Sequence, residues 1–149
     1  MRVLIQRVLE ATVKIDQVEY SRISKGMLVL VGIENDDTEE DIDYLCKKIL
    51  NLRIFDDEEG VMNESVMQKE NEIMVISQFT LHANTRKGNR PSYIKAAKPD
   101  IAIPIYEKFC QQLELQSGIE IKTGEFGADM KVSLINDGPV TIWIDSKAK

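Results

Sequence analysis

The sequence predicts an α+β fold: one domain over residues 1–149, built mainly of antiparallel strands with two principal helices. Three observations lead there. Short runs of Val, Ile and Leu recur along the chain, separated by turns rich in Gly, Asp and Asn. Two stretches, after Thr38 and after Pro99, carry apolar residues at helical spacing. The 149 residues are 43% hydrophobic and 30% charged, which suits a soluble protein with a real core.

Residues 2–8 and 12–15 form two strands with a break near Glu10-Ala11, and the second turns at Asp16-Gln17 to return over residues 18–23. Arg7 interrupts the first strand, either facing solvent or pinning a neighbouring loop. After the Lys25-Gly26 turn, residues 27–33 are almost wholly apolar, the mark of a strand covered on both faces. Asn35-Asp36-Asp37 turns the chain. Thr38 then caps a helix whose first turn, Glu39, Glu40 and Asp41, suits the positive end of the dipole. Ile42, Leu45, Cys46, Ile49 and Leu50 form its buried stripe. The acidic residues 56–60 are a charged hairpin tip rather than a cation site, and residues 61–66 a return strand.

Residues 73–82 matter most. Ile73-Met74-Val75-Ile76 is an apolar run, and Ser77-Gln78-Phe79-Thr80-Leu81-His82 then alternates. If the strand continues, Gln78, Thr80 and His82 share one face. This is either a strand leaving the core or one presenting an amide, a hydroxyl and an imidazole at its edge. Gly88 and Pro91 make residues 83–93 a loop. Pro99-Asp100 opens the second helix, with Pro104 expected in its first turn and Ile101, Ile105, Tyr106, Phe109, Cys110 and Leu113 as its buried stripe, and Gly118 ends it. Residues 119–122 are a short strand. Phe126, in a glycine-containing loop, is either exposed and functional or a core plug. Residues 130–135 and 140–145 are the last two strands, with Trp143 expected over the core. Between them, Asp137-Gly138 signals a hairpin turn that Pro139 contradicts, since proline cannot donate a ladder hydrogen bond. A Gly138-Pro139 bond of either isomer is open.

Composition excludes several function classes. The net charge of −6 argues against a nucleic-acid surface over the whole protein, and DNA is not an expected partner. The charge is uneven, however. Residues 84–98 carry Arg86, Lys87, Arg90, Lys95 and Lys98 with no acidic residue, a local anion-binding face. No apolar run approaches the roughly 20 residues that span a bilayer. Arg7 and Glu10 fall where a signal peptide is still apolar. No membrane partner is expected, and the location expected is cytoplasmic. Cys46 and Cys110 fall in apolar patterns and are expected as buried thiols, not a disulfide. With one histidine and no close Cys/His cluster, no metal or other cofactor is expected.

Ser77-Gln78-Phe79-Thr80-Leu81 and Asn136-Asp137-Gly138-Pro139-Val140-Thr141 occur together in this chain. With them come the opening Met1-Arg2-Val3-Leu4-Ile5-Gln6-Arg7-Val8, the loop Thr85-Arg86-Lys87-Gly88-Asn89-Arg90-Pro91-Ser92, and Thr123-Gly124-Glu125-Phe126-Gly127-Ala128-Asp129-Met130. Over its whole length the chain resembles the D-aminoacyl-tRNA deacylase family. The resemblance implies a barrel-like sheet and a homodimer with its sites at the subunit interface. It implies that Ser77, Gln78, Phe79 and Thr80 form the catalytic pocket for the aminoacyl ester, with Phe126, Gly127 and Met130 beside them. It implies a cis Gly138-Pro139 pair that reaches into the partner's site and filters out L-amino acids, held by Arg7. D-aminoacyl-tRNA is the implied substrate, together with glycyl-tRNA, including glycine mischarged on tRNA-Ala. Arg86, Lys87 and Arg90 are candidates for tRNA phosphate contact from their charge. His82 follows the motif without belonging to it and is not assigned as a base.

The implied reaction is hydrolysis of the ester joining a D-amino acid to the terminal ribose, a chiral proofreading step in translation. It needs a water, a proton acceptor and donors for the developing oxyanion. Thr80 acts as nucleophile or orients water; orientation is the reading favoured, because no base for its hydroxyl is evident. The alternative is a tRNA-binding module without chemistry, which the basic loop fits equally well.

Overall fold

The structure, a computed structural model, describes residues 1–148. β1 (Arg2–Ile15) is the strand on which the sheet is built. One edge pairs antiparallel with β8 (Met130–Asp145) along its whole length. The other edge pairs first with β3 (Gly26–Gly32), over residues 2–8, and then with β2 (Val18–Ile23), over residues 11–15. The break expected near Glu10 is therefore a change of partner within one strand. Its apolar residues change faces there, which periodicity alone reads as an interruption. The β1–β2 hairpin turns through Asp16 and Gln17, whose φ values of 50° and 66° match the mirror-image turn that strand twist favours.

Beyond β3 the sheet continues through β6 (Glu72–Ser77) and β7 (Ile121–Thr123), both parallel to their neighbours. The sheet is thus mixed, antiparallel around β1 and parallel where helices make the crossovers. It curls until the Ser21 hydroxyl on β2 donates to the Thr123 carbonyl at the end of β7 (2.7 Å), which gives the barrel-like form. β3 and β6 are covered on both faces, as their apolar runs require. Met27, Val29, Val31, Ile73 and Val75 pack in the cluster that includes the helices. Leu28, Met74 and Ile76 pack inside the curl with Val8, Ala11, Val13 and Ile23.

Helix α1 (Glu39–Asn51) starts at the Thr38 cap, where the Asp41 carboxylate accepts from the Thr38 amide (2.8 Å). Burial opposes ionisation of Asp41, but Ser146, Lys147 and Thr38 donate to it and hold its carboxyl well below the usual range. Its buried stripe is the expected one. Helix α2 (Pro99–Ser117) differs from expectation at two points. Pro104 is its sixth residue, past the first turn, and Ile101 is exposed while Ala102 takes the buried position with Tyr106, Phe109 and Leu113. The early proline denies the Asp100 carbonyl its in-helix donor, a cost tolerable only near a helix start. Gly118 closes α2 at φ 68°, as expected. No helix among the described residues is long and apolar enough to cross a membrane.

Three further expectations are corrected. The acidic hairpin is β4 (Phe55–Asp56) and β5 (Met62–Glu64), so the return strand is shorter than residues 61–66 and Val66 begins a 3-10 turn. β8 is one strand, not two. Against β1, Val8 faces Asn136 and Gln6 faces Thr141, so residues 137–140 bulge out of a continuous ladder and make no hairpin. Trp143 does not cover the core; it is 48% exposed, with the Arg2 guanidinium over its ring.

Candidate active site

β6 ends at Ser77, and Phe79–His82 form a 3-10 turn. The expected strand over residues 77–82 is thus replaced by a turn, and Gln78, Thr80 and His82 share no strand face. The turn forms because the Gln78 amide closes the sheet ladder on the Val31 carbonyl (2.7 Å), after which Leu81 and Ala83 donate back to Gln78 and Thr80. It can lie this close to β3 only at Gly32. A Cβ there would sit 3.0 Å from the Gln78 oxygen, from Leu81 Cβ and from His82 Cδ2. At its far end the Leu81 carbonyl accepts from Arg2 Nη1 (3.1 Å), and Arg2 Nε donates to Asp145 (2.8 Å).

Beside this turn lies a cavity of about 330 Å³. Ser77, Gln78 and Phe79 form one wall and Phe126, Gly127 and Met130 the other, with Val31, Ile33, Ala97 and Ala102 among the apolar lining. Phe126 is half-buried: it stacks edge-on against Tyr106 (5.8 Å), packs against the core and also lines the cavity. Thr80 stands next to this wall, its Oγ1 accepting from the Gln78 side-chain amide. The one carboxylate in the lining is Asp129, which is paired with Lys131 (2.6 Å) and exposed. His82 is no part of the wall. It is buried behind Gly32, with Nδ1 3.8 Å from the Glu34 carboxylate. A larger open groove, about 820 Å³, lies between β2, α2 and β7 and shares only Phe126 with the cavity. None of the other predicted site residues lines it.

Phe79 is 55% exposed at the rim, and Tyr93 stacks on it edge-on at 5.0 Å. That contact, with the Asn84–Ser92 bridge, ties the basic loop to the mouth of the cavity. Arg86, Lys87 and Arg90 are exposed, and none makes an ion pair within 4 Å among the described residues. They are available to an external anion.

Gly138 and Pro139 are not brought to this cavity. They stand exposed at the top of the β8 bulge, joined by a cis bond. The Asn136 side chain closes the base of the bulge, donating to the Val140 carbonyl (3.1 Å) and accepting from its amide (2.9 Å). Arg7 lies beneath. Nε donates to the Asp137 carbonyl (2.8 Å), and Nη1 donates to the Ile54 carbonyl (2.7 Å) and the Asp56 carboxylate (3.0 Å). Of the two readings of Arg7, the pin is the one realised; its side chain is 8% exposed.

A family profile described as D-Tyr-tRNA(Tyr) deacylase matches residues 4–145. The chain belongs to this deacylase family. A protein named D-aminoacyl-tRNA deacylase from Bacteroides fragilis (strain YCH46) is 68% identical over 149 residues, covering 100% of this chain and 99% of that one. A protein of the same name from Flavobacterium psychrophilum is 62% identical over the same length and coverage. A solved structure described as c-Myc DNA Unwinding Element Binding Protein superimposes with a TM-score of 0.93 at 42% identity, covering 97% and 98% of the two chains. A probable eukaryotic D-amino acid tRNA deacylase, at 19% identity and TM-score 0.83, shares the fold.

Sequence reasoning about this deacylase-family chain misses Gly32, Ala97 and Ala102. Gly32 had a signal, because a glycine inside a β-branched apolar run marks close approach of another backbone. The two alanines had none, since small residues in loops and helices are common. Cys46 and Cys110 are free, and burial pushes both thiols up to about 12, so neither serves as a nucleophile at neutral pH.

Proposed function

We propose that the protein is a proofreading ester hydrolase that releases the D-amino acid from D-aminoacyl-tRNA. The observation that carries this reading is a cavity walled by Ser77-Gln78-Phe79 in a chain of the deacylase family. The cavity holds the aminoacyl end. The opening amides of the 3-10 turn, at Phe79 and Thr80, have no partners within the turn, as at any helix start, and supply donors to the developing oxyanion. Thr80 orients the water. The Gln78 amide occupies its oxygen as an acceptor, and no base among the described residues accepts its proton. The ester is already activated, so positioning with the help of the neighbouring ribose hydroxyl suffices. Selection by backbone groups also admits glycyl-tRNA, including glycine on tRNA-Ala. Arg86, Lys87 and Arg90 meet phosphates near the acceptor end.

Chirality enters through a second copy of the chain. Gly138 and Pro139 do not line the cavity of their own protomer, and they face outward. Leu9, Ile135 and Trp143 leave three apolar side chains about half exposed (49%, 49% and 48%) on the surface of β1 and β8, either side of the bulge. A homodimer covers that surface and carries the bulge of one protomer into the cavity of the other, where it excludes the side chain of an L-amino acid.

The test is deacylation of D- and L-aminoacyl-tRNA carrying the same side chain, with excess chelator. Release of the D-amino acid alone is expected. Equal release of both overturns the filter, and binding of the tRNA without release of either points to the non-catalytic binding module. Thr80→Ala is expected to cost less than about tenfold in kcat; a loss of several orders of magnitude contradicts the water-orienting role.

A further inference from the structure

The β4–β5 hairpin is the most acidic turn of the chain, and the reaction described above leaves it unused. Its position is fixed from below and from within. Ile54 and Phe55 at its base are buried in the main core (4% and 1% exposed). Arg53 Nε donates across it to the Asn63 carbonyl (2.8 Å). At the tip, the Asp57 carboxylate accepts the amides of Glu59 and Val61 (3.0 Å each), and these bonds, Val61 first, hold its carboxyl below the usual range. The hairpin is therefore anchored at its base and closed at its tip by its own hydrogen bonds.

Its root meets Arg7. The guanidinium reaches two separate segments: Nε engages Asp137 at the foot of the Gly138-Pro139 bulge, and Nη1 engages the Ile54 carbonyl and the Asp56 carboxylate. The Asp137 carboxylate adds a longer contact to Nε at 3.4 Å. A guanidinium is planar and rigid, so fixing one edge fixes the other. Asn136 closes the bulge upon itself and reaches the Thr141 hydroxyl (3.3 Å), and Val140 packs the foot of the bulge against the core, but neither contact touches Gly138 or Pro139. Arg7 is thus the charged tie between the foot of the Gly138-Pro139 tip and the hairpin.

We infer that Asp56 is a positioning residue for the chirality filter: through Arg7 it sets the angle at which Gly138-Pro139 is presented to the partner's cavity. It touches no substrate, so its effect falls on selectivity. The inference rests on reading Gly138-Pro139 as the filter.

The experiment compares Asp56→Ala, Asp56→Asn, Asp56→Glu and Arg7→Ala in the full chain, using D- and L-aminoacyl-tRNA with one side chain. Asp56→Ala should lower the D-over-L ratio of kcat/KM by about tenfold, the scale of one hydrogen bond to a charged group. The change should come mainly from faster L-hydrolysis, with a smaller loss in Asp56→Asn and recovery in Asp56→Glu. Asp56 is 46% exposed, so thermal midpoints should move little and the ratio is read on folded protein. If Arg7→Ala collapses the ratio and Asp56→Ala does not, the hairpin is no anchor and the inference fails alone. If neither variant changes the ratio, the filter reading fails and the inference with it.

Discussion

The cavity wall and the Gly138-Pro139 bulge are held in place by opposite means. The wall is a short turn pressed onto β3 at Gly32, locked by backbone hydrogen bonds and backed by apolar side chains. The tip of the bulge, Gly138-Pro139, stands in solvent, out of the β1–β8 ladder; Asn136 closes its base, Val140 packs its foot, and one buried guanidinium shared among four oxygens ties it to the hairpin. A surface that holds an ester needs fixed volume, which close packing provides. The exposed Gly138-Pro139 tip has little core behind it, so directional charged hydrogen bonds help to fix its orientation. The wall should therefore fail when its volume changes, and the bulge when its fork geometry changes.

The largest effect is expected at Gly32. In Gly32→Val the added atoms meet the Gln78 oxygen, Leu81 and His82 at 3.0 Å or closer and push the turn outward. A displacement of this kind costs about a hundredfold in kcat/KM, with about 1–3 kcal/mol of stability lost to overpacking. D- and L-substrates should suffer alike, so a variant that loses activity while its D/L ratio collapses contradicts the division of labour. Arg7→Lys probes the other half. The charge is kept but the planar fork is lost, and selectivity should fall by about tenfold with D-turnover reduced less. Unchanged selectivity in that variant means that charge alone holds the bulge.

The smallest effect is at Arg2, which links the two halves of the strand system by contacting Leu81, Asp145 and Trp143. Burial opposes ionisation of Asp145, but the Lys147 amide and the Arg2 guanidinium outweigh it and hold its carboxyl below its ordinary 3.8. A depressed carboxyl contributes stability that is complete above its unfolded value and is lost as the pH falls through its folded one. Arg2→Ala should bring the folded value closer to the unfolded one, so the acid loss should be smaller and complete at higher pH, a difference of less than about 1 kcal/mol for a partly exposed pair. Urea midpoints between pH 6 and pH 2 measure it, and superimposable profiles contradict the contribution.

Local chemistry made much of this legible. Thr38 and Gly118 end their helices as capping rules require, and the two-sided burial of β3 and β6 follows from their apolar runs. What periodicity missed is long-range. β1 changes partner without breaking, and β8 carries four residues out of register while remaining one strand, because pairing depends on neighbours distant in sequence. β6 ends at Ser77, where the following Gln78 amide donates to the Val31 carbonyl, a bond that no local pattern encodes. Trp143 is expected over the core; here it lies half exposed under the Arg2 guanidinium. The site itself became legible through the resemblance, since backbone chemistry leaves no triad or ligand cluster to find.

The most direct test of a site completed across two protomers is a mixing experiment. Ala97→Trp fills the cavity and should give an inactive chain with an intact bulge. Arg7→Ala should give an active chain with poor selectivity. Dissociated, mixed and reassociated with Ala97→Trp in excess, the cavities of the Arg7→Ala chains should receive an intact bulge, so that L-hydrolysis falls towards the wild-type level while D-hydrolysis persists. L-hydrolysis per Arg7→Ala chain that is unaffected by the excess partner would contradict a filter supplied from the second protomer.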